Sequence, residues 1–354
     1  MRILYGIQGT GNGHLSRSRE VLAELLALGH DVRVLVSGRS SGAPPELGPG
    51  VQPLLREGLT FQTRAGRVQL LATALRLSPR RLWLDIRALD RLQPRPELVI
   101  TDFEPISAWW ARTRGVPSVG LGHQYAFVHP AVPLPAGNQA GKLVLRRFAP
   151  CDHPLGLHWS DFGQPILPPI VPALSAPPGP GEPDLLLVYL PFESRHSIRA
   201  CLAPLTHLRC RIYGHPSGPP QERGPAQLDW RPFSRAGFLE DLGRCAGVIC
   251  GAGFELPSEV IHLGRRLLVK PLHGQLEQGA NALALERLGL GWARPELTAD
   301  IIARWLESPA PAGRRWPHVA RRVAQWIDAG DLRQPAELAR VCWSDPPFPA
   351  PPAA

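Results

Sequence analysis

The chain has 354 residues, 44% hydrophobic and 19% charged, with 35 Gly and 41 Pro. That is the make-up of a folded, loop-rich protein long enough for two domains, and it excludes a small stapled scaffold and a disordered chain. The net charge of +9 comes from 39 basic and 30 acidic residues, all but Lys142 and Lys270 of the basic ones being arginine. The charge is spread out and is not interleaved with aromatics as single-strand binding requires, so nucleic acid is not an expected partner.

The first predicted strand is 2–7, followed by a Gly-rich stretch over 8–14. Helical spacing of apolar residues runs over 16–28 and stops at Gly29, and a second strand follows at 31–36. This is the opening β-α-β of a doubly wound parallel sheet, in which ligands sit at the carboxyl ends of strands. After a Pro/Gly-rich loop over 38–53, helices are predicted at 66–77 and 79–92, the second with Ser78 as N-cap and Pro79 at its first position. A strand at 97–101 ends at Asp102. A helix at 106–114 and a strand at 117–121, ending at Gly122 and His123, continue the alternation.

Prolines crowd residues 165–183, and the linker is placed at 171–183, between an N-terminal domain of 1–170 and a C-terminal domain of 184–312. The pattern then restarts: strand 184–189, helix 194–202, strand 208–213, helix 234–243, strand 247–250, a second Gly loop at 251–253, helix 255–263, strand 267–269, a polar loop over 271–275 and helix 277–288. The expected fold is α/β, two Rossmann-like doubly wound domains facing one cleft. Helices are predicted at 314–327 and 335–341, and 346–354 reads as a disordered tail.

The six cysteines form no CxxC pair and no Cys/His spacing suited to zinc. No signal peptide is visible, and the longest apolar run, 185–190, falls far short of the ~20 residues that span a bilayer. These features predict a cytoplasmic protein without a metal cofactor.

The first loop reads Gly9-Thr10-Gly11-Asn12-Gly13-His14. Its glycines permit close backbone approach, and the N–H groups of Gly11, Asn12 and Gly13 at a helix start suit an anion. A dinucleotide fingerprint would need glycine where His14 stands and an acid after the second strand, where Ser37-Gly38-Arg39 stands instead; Ser37 and Arg39 suit a 2′-phosphate, which keeps a nicotinamide-dependent oxidoreductase as an alternative. His14 is a candidate general base, and Asp102 is its best partner because a parallel sheet gathers strand ends. Asp102 equally suits the N-cap of the following helix, and Asp102-Phe103-Glu104 can be read as a metal-binding DxE.

The second loop gives Gly251-Ala252-Gly253-Phe254-Glu255, with Glu259 one turn on. Amides at Gly253 and Phe254 suit a diphosphate, and a carboxylate such as Glu259 or Glu255 accepts the paired hydrogen bonds of a ribose diol. First-turn acids also simply suit the helix dipole.

The stretch 230–282, with Trp230-Arg231-Pro232, Cys245 to Gly253, Ser258-Glu259, Gly264, Pro271 and Glu277-Gln278-Gly279-Ala280-Asn281-Ala282, resembles the donor-binding signature of GT-B glycosyltransferases, and the opening Gly9 to His14 loop resembles the same group. The likeness is nearest to the lipid-linked N-acetylglucosaminyltransferase of peptidoglycan synthesis and to related bacterial and archaeal glycosyltransferase-like proteins. It implies a metal-independent, inverting transfer of a sugar from a nucleotide-diphosphate donor, a UDP-sugar by preference, to an acceptor hydroxyl of a glycan, lipid-linked or small molecule in envelope or polysaccharide synthesis.

By that resemblance His14 is the catalytic histidine and Asp102 its carboxylate partner. Gly251, Gly253 and Phe254 bind the diphosphate, Glu259 the ribose, and Glu277 with Gln278 the donor sugar, with Gln275 in the same loop. Gly251 stands where plant members have a phosphate-binding histidine, and Glu255 where they have asparagine; His273 and Arg195, placed on loops, are candidates to supply the missing positive charge. Residues 313–345 would cross back to the N-terminal domain. The same fold serves nucleotide-sugar 2-epimerases and hydrolases, and a non-catalytic nucleotide-sugar binder is a further alternative.

Residues 61–95 carry eight arginines and two aspartates, +6 of the total +9. Leu82, Trp83, Ile86 and Leu89 form an apolar face beside Arg80, Arg87 and Arg91. Such a helix either packs on its sheet or lies on an anionic membrane, giving 64–92 as a candidate peripheral contact on the inner face.

Overall fold

Strands buried on both faces lose the alternation of polar and apolar residues, and the sequence Arg2–Gln8 is such a strand, buried from its second residue onward. The computed structural model describes residues 1–38, 44–58, 63–64, 67–68, 79–135, 146–174, 181–215, 225–232, 234–309 and 314–347. Of the helix expected at 66–77, residues 67–68 form a strand instead, paired with 63–64, and the rest lie outside the described residues, as do the Ser78 cap, Arg39, residues 175–180 of the Pro-rich stretch and residues 348–354.

In chain order the elements are β1 (Arg2–Gln8), α1 (Gly13–Ala27), β2 (Asp31–Ser37), β3 (Leu54–Arg56), a hairpin of β4 (Thr63–Arg64) and β5 (Arg67–Val68), and α2 (Pro79–Ala88). Then come β6 (Leu98–Asp102), α3 (Pro105–Arg114), β7 (Ser118–Gly122), a 3-10 turn (His123–Val128), β8 (His153–Leu157) and β9 (Ile166–Leu167). The next series is β10 (Glu182–Tyr189), α4 (Arg195–Leu202), β11 (Arg209–Tyr213), β12 (Leu228–Arg231), α5 (Arg235–Arg244), β13 (Cys245–Gly251) and α6 (Glu255–His262). It continues with β14 (Arg266–Lys270), α7 (Leu276–Arg287), β15 (Trp292–Ala293) and α8 (Ala299–Glu307), and the chain closes with α9 (Val319–Asp328) and α10 (Pro335–Ser344).

The chain divides into two units. The first comprises Met1–Gln62, Gln69–Pro172 and Trp316–Pro347, and the second is built on Ala173–Arg315. Unit one holds a parallel sheet in the order β3-β2-β1-β6-β7-β8-β9, unit two a parallel sheet in the order β12-β11-β10-β13-β14-β15. Each is doubly wound.

In unit one Leu4, Leu35, Val99, Ile106 and Trp110 form a core on which Leu89 is buried and Leu82 and Ile86 are packed. The basic amphipathic helix therefore turns most of its apolar face to the sheet; Trp83 and Leu84 alone of its large apolar residues point outward, about half exposed. Gly6 lets α3 approach β1, since a Cβ there would lie 1.9 Å from Ser107 Oγ. The last helices belong to this unit: His318 and Arg321 meet Glu24 of α1, and Trp343 Nε1 donates to Ile166 O at 2.7 Å. In unit two Leu186, Val188, Ile249 and Leu268 meet Ile302 and Trp305 of α8, a helix the sequence reading did not include.

The helix expected from residue 314 begins only at Val319. Pro317 cannot donate a backbone hydrogen bond and biases Trp316 toward extended backbone, and His318 takes the cap, its ring nitrogen accepting from Arg321 N at 3.3 Å. No helix among the described residues is long and apolar enough to cross a membrane.

Several histidines are buried as neutral rings. Burial pushes His262 down to about 4, with Arg315 adding to the effect, and burial followed by the facing His123 holds His158 well below the ordinary imidazole range. Burial and the chain's amino terminus lower His30 as well, against an opposing pull from Asp328. Because the unfolded chain binds these protons more readily than the native one, their contribution is complete above pH ~6.5 and is lost as pH falls toward 4. We expect Tm to decline across that window, with a shallower decline in His262→Gln; calorimetry showing identical slopes would contradict this.

Candidate active site

Parallel pairing of β1 with β6 sets Asp102 level with Ile7. The loop that leaves β1 turns at Gly11, whose φ of 86° favours glycine, and α1 starts at Gly13, so His14 lies in its first turn. The result is a contact between residues 88 positions apart: His14 Nδ1 lies 2.7 Å from Asp102 Oδ1. The carboxylate is fully buried, whereas the His14 side chain keeps 14% of its surface open.

Asp102 points this way because the chain reverses immediately after it. Phe103 adopts φ 53°, rare for a bulky residue, and is held by stacking on Phe148 (centroids 4.9 Å apart) and an edge contact with Tyr125. The reversal hands the cap of α3 to Glu104, correcting the reading of Asp102 as that cap: Glu104 accepts from Ile106 N at 2.8 Å, Ser107 N at 2.7 Å and Ser37 Oγ at 2.6 Å. The two acids of the DxE thus turn to different partners, both within the protein.

Two residues of α1 that the sequence reading did not single out complete the cluster. Arg17 Nε donates to Asp102 Oδ2 at 2.8 Å and Nη2 to Oδ1, while Nη2 also lies 2.8 Å from His14 Nδ1. Ser18 Oγ donates to Oδ2 at 2.9 Å. Burial alone would raise the Asp102 carboxyl, but the Arg17 guanidinium and then His14 hold it below the usual carboxylate range. His14, Arg17 and Ser18 stand at i, i+3 and i+4, one face of a helix; that spacing was the available signal.

In unit two the corresponding strand end is Gly251, followed by Ala252, Gly253 and Phe254. A Cβ at Gly253 would meet nothing within 4 Å, and neither α6 at Phe254 nor α1 at Asn12 is capped by a side chain. From α7, Asn281 Nδ2 donates to Ala252 O at 3.0 Å. Gln275 caps α7 by accepting from Gln278 N at 2.6 Å, and Gln278 Oε1 accepts from Leu272 N at 2.9 Å, so these side chains shape the loop over 271–278. Glu259 is buried near Cys250, whose thiol burial and then Glu259 push far up. Glu255 and Glu277 are half-buried and His273 is exposed. Arg195 is the first residue of α4, not a loop residue, since Ser194 caps that helix; its guanidinium stacks 4.3 Å over the Trp230 ring.

The profile of glycosyl transferase family 1 matches residues 1–309. The chain belongs to that family. This family 1 member is 31% identical over 131 residues to an uncharacterised glycosyltransferase of Methanosarcina mazei, covering 35% of this chain and 34% of that protein. The chain thus aligns with about a third of the length of that curated relative. Among solved structures it is similar to the glycotransferase of kitacinnamycin (TM-score 0.58, 16% identity, 96% of this chain and 97% of that one). It is also similar to TcCGT1 in complex with UDP (TM-score 0.60, 13% identity, 97% and 94%). The fold is GT-B.

For this family 1 chain the Glu104 cap gives a direct test of how the Asp102 turn is held. Burial raises the Glu104 carboxyl, and the hydrogen bonds from Ser37, Ser107 and Ile106 oppose it. Glu104→Gln turns one acceptor into a donor facing an N–H or O–H group, and should cost about 1–3 kcal/mol. Thermal denaturation should show Tm lower by several degrees; an unchanged Tm would contradict the role of this cap.

Proposed function

We propose that this family 1 chain transfers a sugar from a nucleotide-diphosphate donor to an acceptor hydroxyl by single displacement, with inversion and without metal. The observation that carries the reading is the contact of His14 with a buried Asp102, its ring still partly open to solvent. The acceptor hydroxyl gives its proton to His14 Nε2 as its oxygen bonds to the anomeric carbon. The bond from that carbon to the phosphate oxygen breaks, and the nucleoside diphosphate leaves with the electron pair.

Backbone amides at Gly253 and Phe254, together with Gly251, are proposed to receive the diphosphate, Glu259 the ribose diol, and Glu277 and Gln278 the sugar. Glu255, Gln275 and His273 stand beside them, and Gly11, Asn12 and Gly13 offer amides at the start of α1. A UDP-sugar is favoured because structural neighbours include UDP complexes. The absence of a metal from the scheme is supported by the engagement of Asp102 and Glu104 with protein donors.

Titration calorimetry and a sugar-release assay test these roles. His14→Ala should lower kcat by about 10²- to 10⁴-fold with UDP affinity nearly intact, and Glu259→Ala should weaken UDP binding first; EDTA should leave the rate unchanged. Full activity in His14→Ala would sink the proposed base. Silence to UDP, GDP and dTDP alike would sink the donor class.

One observation favours a peripheral membrane contact as an addition. Trp83 and Leu84 are exposed on α2 among Arg80, Arg81 and Arg87, with the Arg87 guanidinium 4.7 Å from the Trp83 ring. Vesicles with phosphatidylserine should carry the protein in flotation at low salt and lose it when Trp83 and Leu84 are both changed to Ser. Equal flotation of variant and wild type would remove this contact.

A further inference from the structure

We propose that Arg17 is a positioning residue that holds the Asp102 carboxylate against His14 and opposes protonation of the ring; this rests on the reading of His14 as the base. Oδ1 of Asp102 is shared by His14 Nδ1, at 2.7 Å, and Arg17 Nη2, and the two nitrogens are themselves 2.8 Å apart. With the ring proton on Nδ1, both nitrogens donate to one oxygen and the Nε2 lone pair is left as the base. A histidine and aspartate alone carry −1 with the ring neutral and 0 with it protonated. With Arg17 included, those states are 0 and +1.

Water does little to screen the difference, because Arg17 and Asp102 expose 1% and 0% of their side chains. Among the described residues Asp102 from β6 and Arg17 from α1 are the ionised groups in contact with the ring. Tyr5 on β1 and Tyr125 in the 3-10 turn stand near Asp102, but burial raises both hydroxyls and keeps them neutral. Glu104 is committed to Ser37, Ile106 and Ser107. Removing the guanidinium therefore leaves the carboxylate unopposed and favours the imidazolium. Lysine would keep the charge but not the two-point grip on the carboxylate.

The experiment is a pH titration of ring ¹⁵N signals in the full chain labelled at histidine, with His14 assigned as the resonance missing from His14→Gln. In Arg17→Met the His14 midpoint should rise by about one unit or more relative to wild type, and in Arg17→Lys it should stay near the wild-type value. The acid limb of the kcat profile should move with the midpoint while the donor KM stays put. An unchanged midpoint in Arg17→Met that still shows native His123 and His158 signals would overturn the proposal and leave Arg17 a brace. Should that variant not fold, the wild-type tautomer decides: a neutral ring unprotonated at Nδ1, accepting from Arg17, would overturn it as well. If the midpoint moves as expected but His14→Gln still transfers sugar, the reading of the base fails while the coupling stands.

Discussion

A carboxylate removed from water must be solvated by the protein, and much of unit one is arranged around that requirement at Asp102. Its two oxygens face the guanidinium of Arg17, the hydroxyl of Ser18 and the ring of His14, all from the first turns of α1. Those groups reach it only because β1 lies beside β6 with Ile7 level with Asp102, which fixes where the loop of Gly9 to Asn12 must end. The reversal at Phe103 follows from the same demand. A left-handed conformation at a bulky residue costs about 1–3 kcal/mol and persists only when its surroundings enforce it; here two aromatic contacts on one side and the Glu104 cap on the other do so.

The doubly wound alternation is legible in the sequence because parallel strands buried on both faces are short apolar runs and their crossover helices carry a 3.6-residue period. The pairing of His14 with Asp102 is legible for a related reason: a parallel sheet delivers strand ends to one edge. Arg17 is hidden by its own chemistry. An arginine on a helix is ordinarily solvated, and among so many basic residues nothing but its spacing from His14 sets it apart. Asp102 and Glu104 present the opposite difficulty, two acids with no local signal for which caps α3. The deciding feature is a positive φ at Phe103, a residue type that gives no warning of it. Strands such as His153–Leu157, interrupted by Pro154, and Leu228–Arg231, with Asp229 and Arg231 alternating outward, are too short or too polar to stand out.

The helix starts divide by the same logic. α3, α4, α5, α7, α8 and α9 are capped by their own side chains, from Glu104, Ser194, Ser234, Gln275, Thr298 and His318. The helices after the two Gly loops, α1 and α6, have no such cap, and neither has α10, which starts instead with Pro335, a residue with no N–H to satisfy. A side-chain cap contributes about 1 kcal/mol, and flexible glycines before the helix weaken it further. At α1 and α6 the glycine loop supplies no side-chain acceptor for the first backbone amides, and the proposed function places the anion there. In unit two, Asn281 braces the Gly loop through Ala252 O, and Gln278 braces the neighbouring 271–278 loop through Leu272 N. In unit one the open helix start carries His14. The proposed base and the proposed anion site therefore rest on one local design, a glycine turn between a buried strand and a helix without a side-chain cap.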